Sequence, residues 1–292
     1  MSPISDVGVS QWVALNGVWS PIDEAKVSVL DRGFIFGDGI YEVVPVYAGR
    51  PFRWPQHLLR LKRSLSKIGI PNPLDDAGWF SLVSELVARH AWKDQFVYLQ
   101  ITRGVAKRDH AFPKVMVPTV FAMSSELRPV DADARQHGVA VISLPDERWL
   151  HCDIKSTSLL GNVLARQASV EADAAECIMF RDGFMTEGSA SNVWIVRKGV
   201  IFGAPMDHLV LEGIRVGLMS ELAQSCGVPL EIRRISRDEV LSADEIFISS
   251  ATKEVLAVKS LDGDLVGRGL EAGKPGPIYK GLYEAYQRAK AP

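Results

Sequence analysis

The sequence predicts a soluble globular protein of mixed helices and strands, with length enough for one large domain or two medium ones. Three observations predict it. Apolar residues recur at helical spacing in some stretches and alternate or run together in short, β-rich stretches in others. Turn signals such as Asn16-Gly17, Asp182-Gly183 and Lys198-Gly199 punctuate both kinds. The 292 residues are 47% hydrophobic and 23% charged, a balance that supports a sizeable core.

Composition narrows the function classes. A formal net charge of -2 indicates no nucleic-acid or other polyelectrolyte partner, and the pairs Lys62-Arg63 and Arg233-Arg234 read as solvated faces. Three cysteines without a close pair (Cys152, Cys177, Cys226) argue against a disulfide framework or a cysteine-rich zinc site, and the six histidines show no metal-ligand spacing. No stretch is long and apolar enough to span a bilayer, and Met1 to Asp6 lacks the basic and apolar regions of a signal peptide. The reading is a cytoplasmic protein with no membrane contact.

The elements follow in order. Val13 to Val29 reads as short strands and turns. Asp31 to Glu42 is glycine-rich, but Gly33, Gly37 and Gly39 fit neither common phosphate-loop pattern, so turns and close backbone approach are the plainer reading. Tyr41 to Tyr47 is a strand that turns at Ala48-Gly49. Pro55 suits a helix start; Leu58, Leu61, Leu65 and Ile68 form the apolar stripe, and Gly69 ends it. Arg60 lies off that stripe and reads, on pattern alone, as a solvated helix arginine. Trp79 to Ala91 is a second amphipathic helix and Gln95 to Arg103 a strand. Arg103 to Pro113 is a cation-dense loop, either a solvated basic turn or a site for a carboxylate. Ser124 to His137 is polar and reads as a linker. The second half runs strand (Val139 to Leu144), helix (about Leu159 to Ala172, with Leu159, Leu160, Val163 and Leu164 as its apolar positions), and then strands around Cys177 to Phe180, Asn192 to Val196 and Val200 to Phe202. A helix opens at Leu211 to Arg215 and ends at Gly227, and Gly276 to Tyr286 is an amphipathic packing helix.

Chemistry concentrates in Asp153-Ile154-Lys155-Ser156, at the expected start of the 159–172 helix and after the buried-looking Trp149-Leu150, and in Thr186-Glu187-Gly188-Ser189, where Glu187 is expected to open a strand. A lysine can bond an aldehyde, and a carboxylate can keep a pyridinium nitrogen protonated. On residue type alone both read more simply as solvated surface groups.

With Leu159-Leu160-Gly161 and Ser189-Ala190-Ser191-Asn192 added, these motifs resemble the class IV (fold-type IV) aminotransferases that use pyridoxal phosphate (PLP), and within them the D-amino-acid aminotransferases. The likeness covers roughly Val13 to Tyr286, carried by five segments. It implies an α+β fold in two domains, with the cofactor at the domain interface: residues 1–127 as a small N-terminal domain, 128–137 as linker and 138–292 as the PLP-binding domain. It implies a homodimer and ping-pong transamination between D-amino acids and 2-oxo acids. By the same resemblance Lys155 carries the cofactor and moves the Cα proton, Glu187 contacts the pyridine nitrogen, and Arg60 holds the phosphate. The phosphate cup adds Gly213, Ile214 and Arg215 at a helix start and Ser250, Ala251 and Thr252 in a turn. Arg215 and Ala251 stand where the family has threonines, so two hydroxyls are lost. The Arg108-Asp109-His110-Ala111-Phe112-Pro113 wording matches the D-amino-acid enzymes, in which this arginine and histidine trap the substrate carboxylate with a tyrosine of the other subunit, here Tyr41. The alternatives are a branched-chain L-amino-acid or (R)-amine transaminase, an aminodeoxychorismate-lyase-like enzyme, and a non-catalytic relative.

Overall fold

The computed structural model describes residues 11–211 and 213–291, the side chains of Arg215 and Leu270 apart. The first six residues, read above for a leader's pattern, lie outside this set. The chain forms two compact units: the described residues up to Arg128 together with Ile154–Leu159, and Pro129–Asp153 together with the described residues from Leu160 onward.

The first unit contains β1 (Trp12–Leu15), β2 (Val18–Pro21), α1 (Arg32–Phe36), β3 (Gly39–Tyr47), β4 (Arg50–Pro51), α2 (Trp54–Lys67), α3 (Asp76–Ala88), β5 (Gln95–Thr102) and β6 (Thr119–Glu126). Its strands form an antiparallel sheet of order β2-β1-β6-β5-β3-β4. Val44, Val97, Leu99 and Ile101 of the sheet pack with Leu58, Leu61 and Leu65 of α2 and Trp79, Val83 and Leu86 of α3. The expected strands and both expected helices are present.

The second unit contains α4 (Ala132–His137), β7 (Val139–Pro145), α5 (Leu160–Glu171), β8 (Glu176–Arg181), β9 (Phe184–Met185), β10 (Asn192–Arg197), β11 (Val200–Gly203), α6 (Ile214–Ser225), β12 (Leu230–Ile232), α7 (Arg237–Leu241), β13 (Glu245–Ser250), β14 (Glu254–Leu261), β15 (Asp264–Leu265) and α8 (Pro277–Lys290). Its mixed sheet runs β12-β11-β10-β13-β14-β7-β8-β9, with β15 on β14. The β14–β7, β7–β8 and β11–β12 pairs are parallel. Ile178, Ile195, Ile246, Ile248 and Val258 share its core. The tail helix α8 buries Tyr279, Leu282, Ala285 and Tyr286, the packing role its pattern indicated. In both units two-residue hairpins, such as Asn16-Gly17 and Lys198-Gly199, take positive φ at both positions; that conformation matches the strand twist and explains the turn signals. No helix among the described residues is long and apolar enough to cross a membrane.

Four local expectations are corrected. Residues 132–137, read as part of a linker, form α4, because Asp131 caps the amides of Asp133 and Ala134. Lys155 does not start a helix; α5 begins at Leu160, and 154–159 lies with the first unit, Ser156 bridging Ile40. The apolar positions of α5 face outward: Leu160, Val163 and Leu164 are 72%, 57% and 62% exposed, and Trp149 and Leu150 are exposed too. Periodicity marks a face but not what covers it. Glu187 opens no strand; β10 begins at Asn192.

Candidate active site

Within the first unit the site is built from β3, α2 and the 154–159 segment. That segment lies beside the start of β3: Tyr41 N–H donates to the Lys155 carbonyl (2.9 Å), Thr157 N–H to the Gly39 carbonyl (3.0 Å) and Thr157 Oγ1 to the Gly37 carbonyl (2.8 Å). Held at both ends, Lys155 places its Nζ 4.0 Å from the centre of the Tyr41 ring, a cation on an aromatic face. Tyr41 in turn stacks on Tyr98, whose half-buried phenol is pushed up to about 12 by desolvation and by its neighbour Tyr41.

Helix α2 turns a polar stripe inward as well as its leucines. His57, Arg60 and Ser64 are all buried. They are spaced by three and four residues, hence on one face. Arg60 Nε and NH2 donate to the two oxygens of Glu42 (2.6 and 2.9 Å), and His57 Nδ1 donates to the same carboxylate (2.8 Å). Burial would raise the Glu42 carboxyl, but the Arg60 charge and the hydrogen bonds of His57 and Arg60 hold it far below the usual carboxylate range. Arg60 is therefore not the solvated arginine that the stripe pattern suggested. Ser64 Oγ accepts from Lys155 N–H at 3.4 Å, so the same stripe touches the lysine segment.

The 103–113 loop also belongs to this unit. Arg108 and His110 are exposed and meet at one ring: the Arg108 guanidinium lies 5.5 Å, and the His110 ring 5.4 Å, from the centre of Phe36. Tyr41 is engaged by Tyr98 and Lys155 rather than by this pair.

In the second unit Glu187 is fully enclosed. Its carboxylate accepts from Arg148 NH1, from Leu211 N–H (3.2 Å) and from Asn192 Nδ2 (3.5 Å). Arg148 turns its other two nitrogens to Asp146, Nε at 2.9 Å and NH2 at 2.8 Å, and NH2 also donates to the Leu209 carbonyl at 3.1 Å. Burial pushes the Glu187 carboxyl up, and the Arg148 charge only partly offsets it. Burial opposes ionisation of Asp146 too, but the Arg148 fork and the Thr186 hydroxyl outweigh it and lower that group. Below the Glu187 loop, buried Glu176 accepts from Ser189 N–H and Oγ, from Ser191 Oγ and from Lys253 Nζ (2.9 Å).

Asn192 joins three of the expected segments. It touches Glu187, donates to the Leu211 carbonyl at 3.3 Å, and pairs across β10–β13 with Ser249, one residue before the Ser250-Ala251-Thr252 turn. Gly213 caps α6 against it: a Cβ there would lie 2.0 Å from Asn192 Oδ1, so only glycine fits. Among the described residues no side chain caps that helix start, and the turn of amides after Gly213 suits a phosphate. Ser250 Oγ accepts from Lys253 N–H (3.1 Å) and keeps its own proton to donate. Arg215 lies in α6, but its side chain is outside the described residues.

The residues fit PLP. A lysine amine, an enclosed carboxylate for a ring nitrogen, and an uncapped helix start for a phosphate are the three attachments the cofactor needs. Sequence reasoning missed Arg148, Asp146, Asn192, Glu42 and Glu176. Glu42 carried a signal, an acid inside an apolar strand, which must be paired if buried. Arg148 carried none, because its partners Asp146 and Glu187 are joined to it only by the fold.

The family model for amino-transferase class IV matches residues 39–261. A D-alanine aminotransferase of Bacillus licheniformis is 39% identical over 277 residues, 95% of this chain and 96% of that protein. The branched-chain amino acid aminotransferase of Escherichia coli superposes with a TM-score of 0.89 over 96% of this chain and 94% of its own; at 22% identity it supports the fold alone. The 4-amino-4-deoxychorismate lyase of Pseudomonas aeruginosa superposes with a TM-score of 0.81 at 27% identity, covering 94% of this chain and 98% of its own. The family model over residues 39–261 and the near full-length identity place this chain in one family: it belongs to the class IV aminotransferases, enzymes that work through pyridoxal phosphate.

Proposed function

We propose that the protein transfers amino groups between D-amino acids and 2-oxo acids, as a cytoplasmic homodimer. The observation that carries the D-amino-acid reading is the 108–113 loop, where Arg108 and His110 stand together on Phe36. The near full-length identity to a D-alanine aminotransferase supports it.

In this reading Lys155 holds the cofactor covalently and Glu187 holds its ring nitrogen. Arg60, the amides of Gly213 and Ile214, and the Ser250-Ala251-Thr252 turn serve its phosphate, with Arg215 assigned to the same cup. When bound, PLP supplies an electron sink for the charge left when Cα loses a proton. Lys155, as a free amine, takes that proton from Cα and is the general base and acid. The Tyr41 ring against Nζ limits where the amine can go. Arg148 sets its positive charge beside Glu187 and so favours the carboxylate form, the form a protonated ring nitrogen needs. Arg108 and His110 of one subunit, with Tyr41 of the partner subunit, bind the substrate carboxylate and thereby choose the face of Cα that meets Lys155. The dimer is supported by large apolar side chains left exposed around the same loop, namely Phe34, Val105, Val115 and Val117.

The test is a substrate panel on the purified, PLP-loaded protein. D-alanine and D-glutamate with a 2-oxo acid should exceed L-valine, L-leucine and (R)-1-phenylethylamine. Arg108→Ala should cut kcat/KM for D-alanine by about thirtyfold or more, the cost of stripping one partner from a charged contact. Preference for L-valine or L-leucine would replace the D-specific reading with the branched-chain one. Release of pyruvate from aminodeoxychorismate without transamination would replace it with the lyase.

A further inference from the structure

Arg32 and Arg103 are both almost fully buried, and both guanidiniums converge on one carboxylate, Asp38. Arg32 Nε donates to it at 2.7 Å; Arg103 donates through Nε at 2.8 Å and NH2 at 2.9 Å. Burial works to raise the Asp38 carboxyl, but hydrogen bonds from Arg103 and Arg32 hold it below its ordinary value. Two like charges can be buried side by side because this anion lies between them. The placement follows from the glycine-rich turn: a Cβ on Gly33 would lie 2.2 Å from Thr102 Cγ2, so α1 sits hard against the end of β5 and brings Arg32 beside Arg103.

Most of the remaining donors go to backbone carbonyls, with Arg103 NH1 also reaching Met116 Sδ at 3.5 Å. Arg103 donates to the carbonyls of Ile68 (2.8 Å) and Gly69 (3.2 Å) and lies 3.5 Å from the centre of the Phe112 ring. Arg32 donates to three successive carbonyls of the exposed loop: Asp109 (2.5 Å), His110 (3.3 Å) and Ala111 (3.3 Å). It also lies 4.8 Å from the centre of the Phe36 ring, the ring on which Arg108 and His110 rest. An otherwise exposed loop is thus pinned from beneath by two arginines and one aromatic ring.

We infer that Arg32, Arg103 and Asp38 are positioning residues for carboxylate recognition: Arg32 fixes the carbonyls around His110 and so aims Arg108 and His110 at the substrate. The inference rests on the substrate reading proposed above. It requires a guanidinium, since a lysine ammonium can face Asp38 but is a point charge that cannot also span three carbonyls.

The test uses Arg32→Lys and Arg103→Lys in the full-length, PLP-loaded protein. Three quantities are read: D-alanine kinetics, inhibition by propionate, and hydrogen exchange of the 108–112 amides. In Arg32→Lys the D-alanine KM and the propionate inhibition constant should rise about tenfold or more, kcat should change less than about threefold, cofactor absorbance should persist, and loop exchange should quicken. KM and inhibition constants within about twofold of wild type, or unaltered exchange, would overturn the inference. If Arg32→Lys fails to fold or to keep PLP, Arg103→Lys decides by the same readings, because it removes the second guanidinium under the loop while leaving Arg32 on Asp38 and the loop carbonyls. A wild type that carries PLP but neither uses D-alanine nor binds propionate would sink the substrate reading, and the inference with it.

Discussion

Glu42 and Glu187 are each fully enclosed, each faced by one arginine, and they titrate in opposite directions. In the first unit Arg60 gives two donors to Glu42, and His57 adds a third; the carboxyl is driven down despite its burial. In the second unit Arg148 turns two of its nitrogens to Asp146 and one to Glu187, whose carboxyl stays raised. The number of arginines is the same. What differs is how the guanidinium fork is divided, and with it whether the acid is a fixed structural charge or one that responds to what is placed against it. The second kind suits the role proposed for Glu187 beside a cofactor ring nitrogen.

The comparison can be broken by removing an arginine. Arg60→Met should strand the Glu42 charge in the core and cost about 3–5 kcal/mol in chemical denaturation, the usual penalty for breaking a buried pair from one side. A loss under about 1 kcal/mol would mean that Glu42 is not held in the way described.

Exchanging the acids themselves should separate stability from turnover. Glu187→Gln should lower kcat on the order of a hundredfold while PLP remains bound, since it removes a preorganised charge at the ring. An unchanged kcat across the substrate panel would refute that role.

Acid should separate them further. A carboxyl lowered in the folded state, such as Glu42, contributes stability that is complete above its unfolded value of about 4.3 and is lost as pH falls from there toward the folded value. A raised carboxyl such as Glu187 has the opposite sign: its contribution is complete below the unfolded value and shrinks as pH rises through the folded one. Glu42→Gln should therefore flatten the acid limb of the stability curve, and Glu187→Gln should leave that limb in place. Equal effects of the two changes would erase the distinction.

The smallest effect sharpens the point. Asp146→Asn weakens the competitor for the Arg148 fork, so the Glu187 carboxyl should move downward, read as a shift in the pH dependence of the cofactor absorbance. No shift, or an upward one, would show that division of the fork does not set the titration.

Much of this was legible in the sequence because it rests on local rules. Leu58, Leu61 and Leu65 gave α2, Asn16-Gly17 gave its hairpin, and the wording around Lys155 and Glu187 gave the family. What was not legible depends on which segments meet. Residues 154–159 lie outside the helix pattern because hydrogen bonds to Gly37, Gly39 and Tyr41 claim them. Arg60 looked solvated because its partner Glu42 is on another element. Leu160, Val163 and Leu164 looked buried because a stripe of apolar residues carries no record of its partner.

The central claim is that Lys155 is the residue through which the enzyme works, and borohydride reduction tests it most directly. The purified, PLP-loaded protein should be yellow, lose that absorbance on reduction, and yield by peptide mass spectrometry one pyridoxyl adduct, on Lys155. Addition of D-alanine before the reductant should discharge the cofactor from the lysine and abolish the adduct. An adduct on any other lysine, or none after incubation with PLP, would contradict the account.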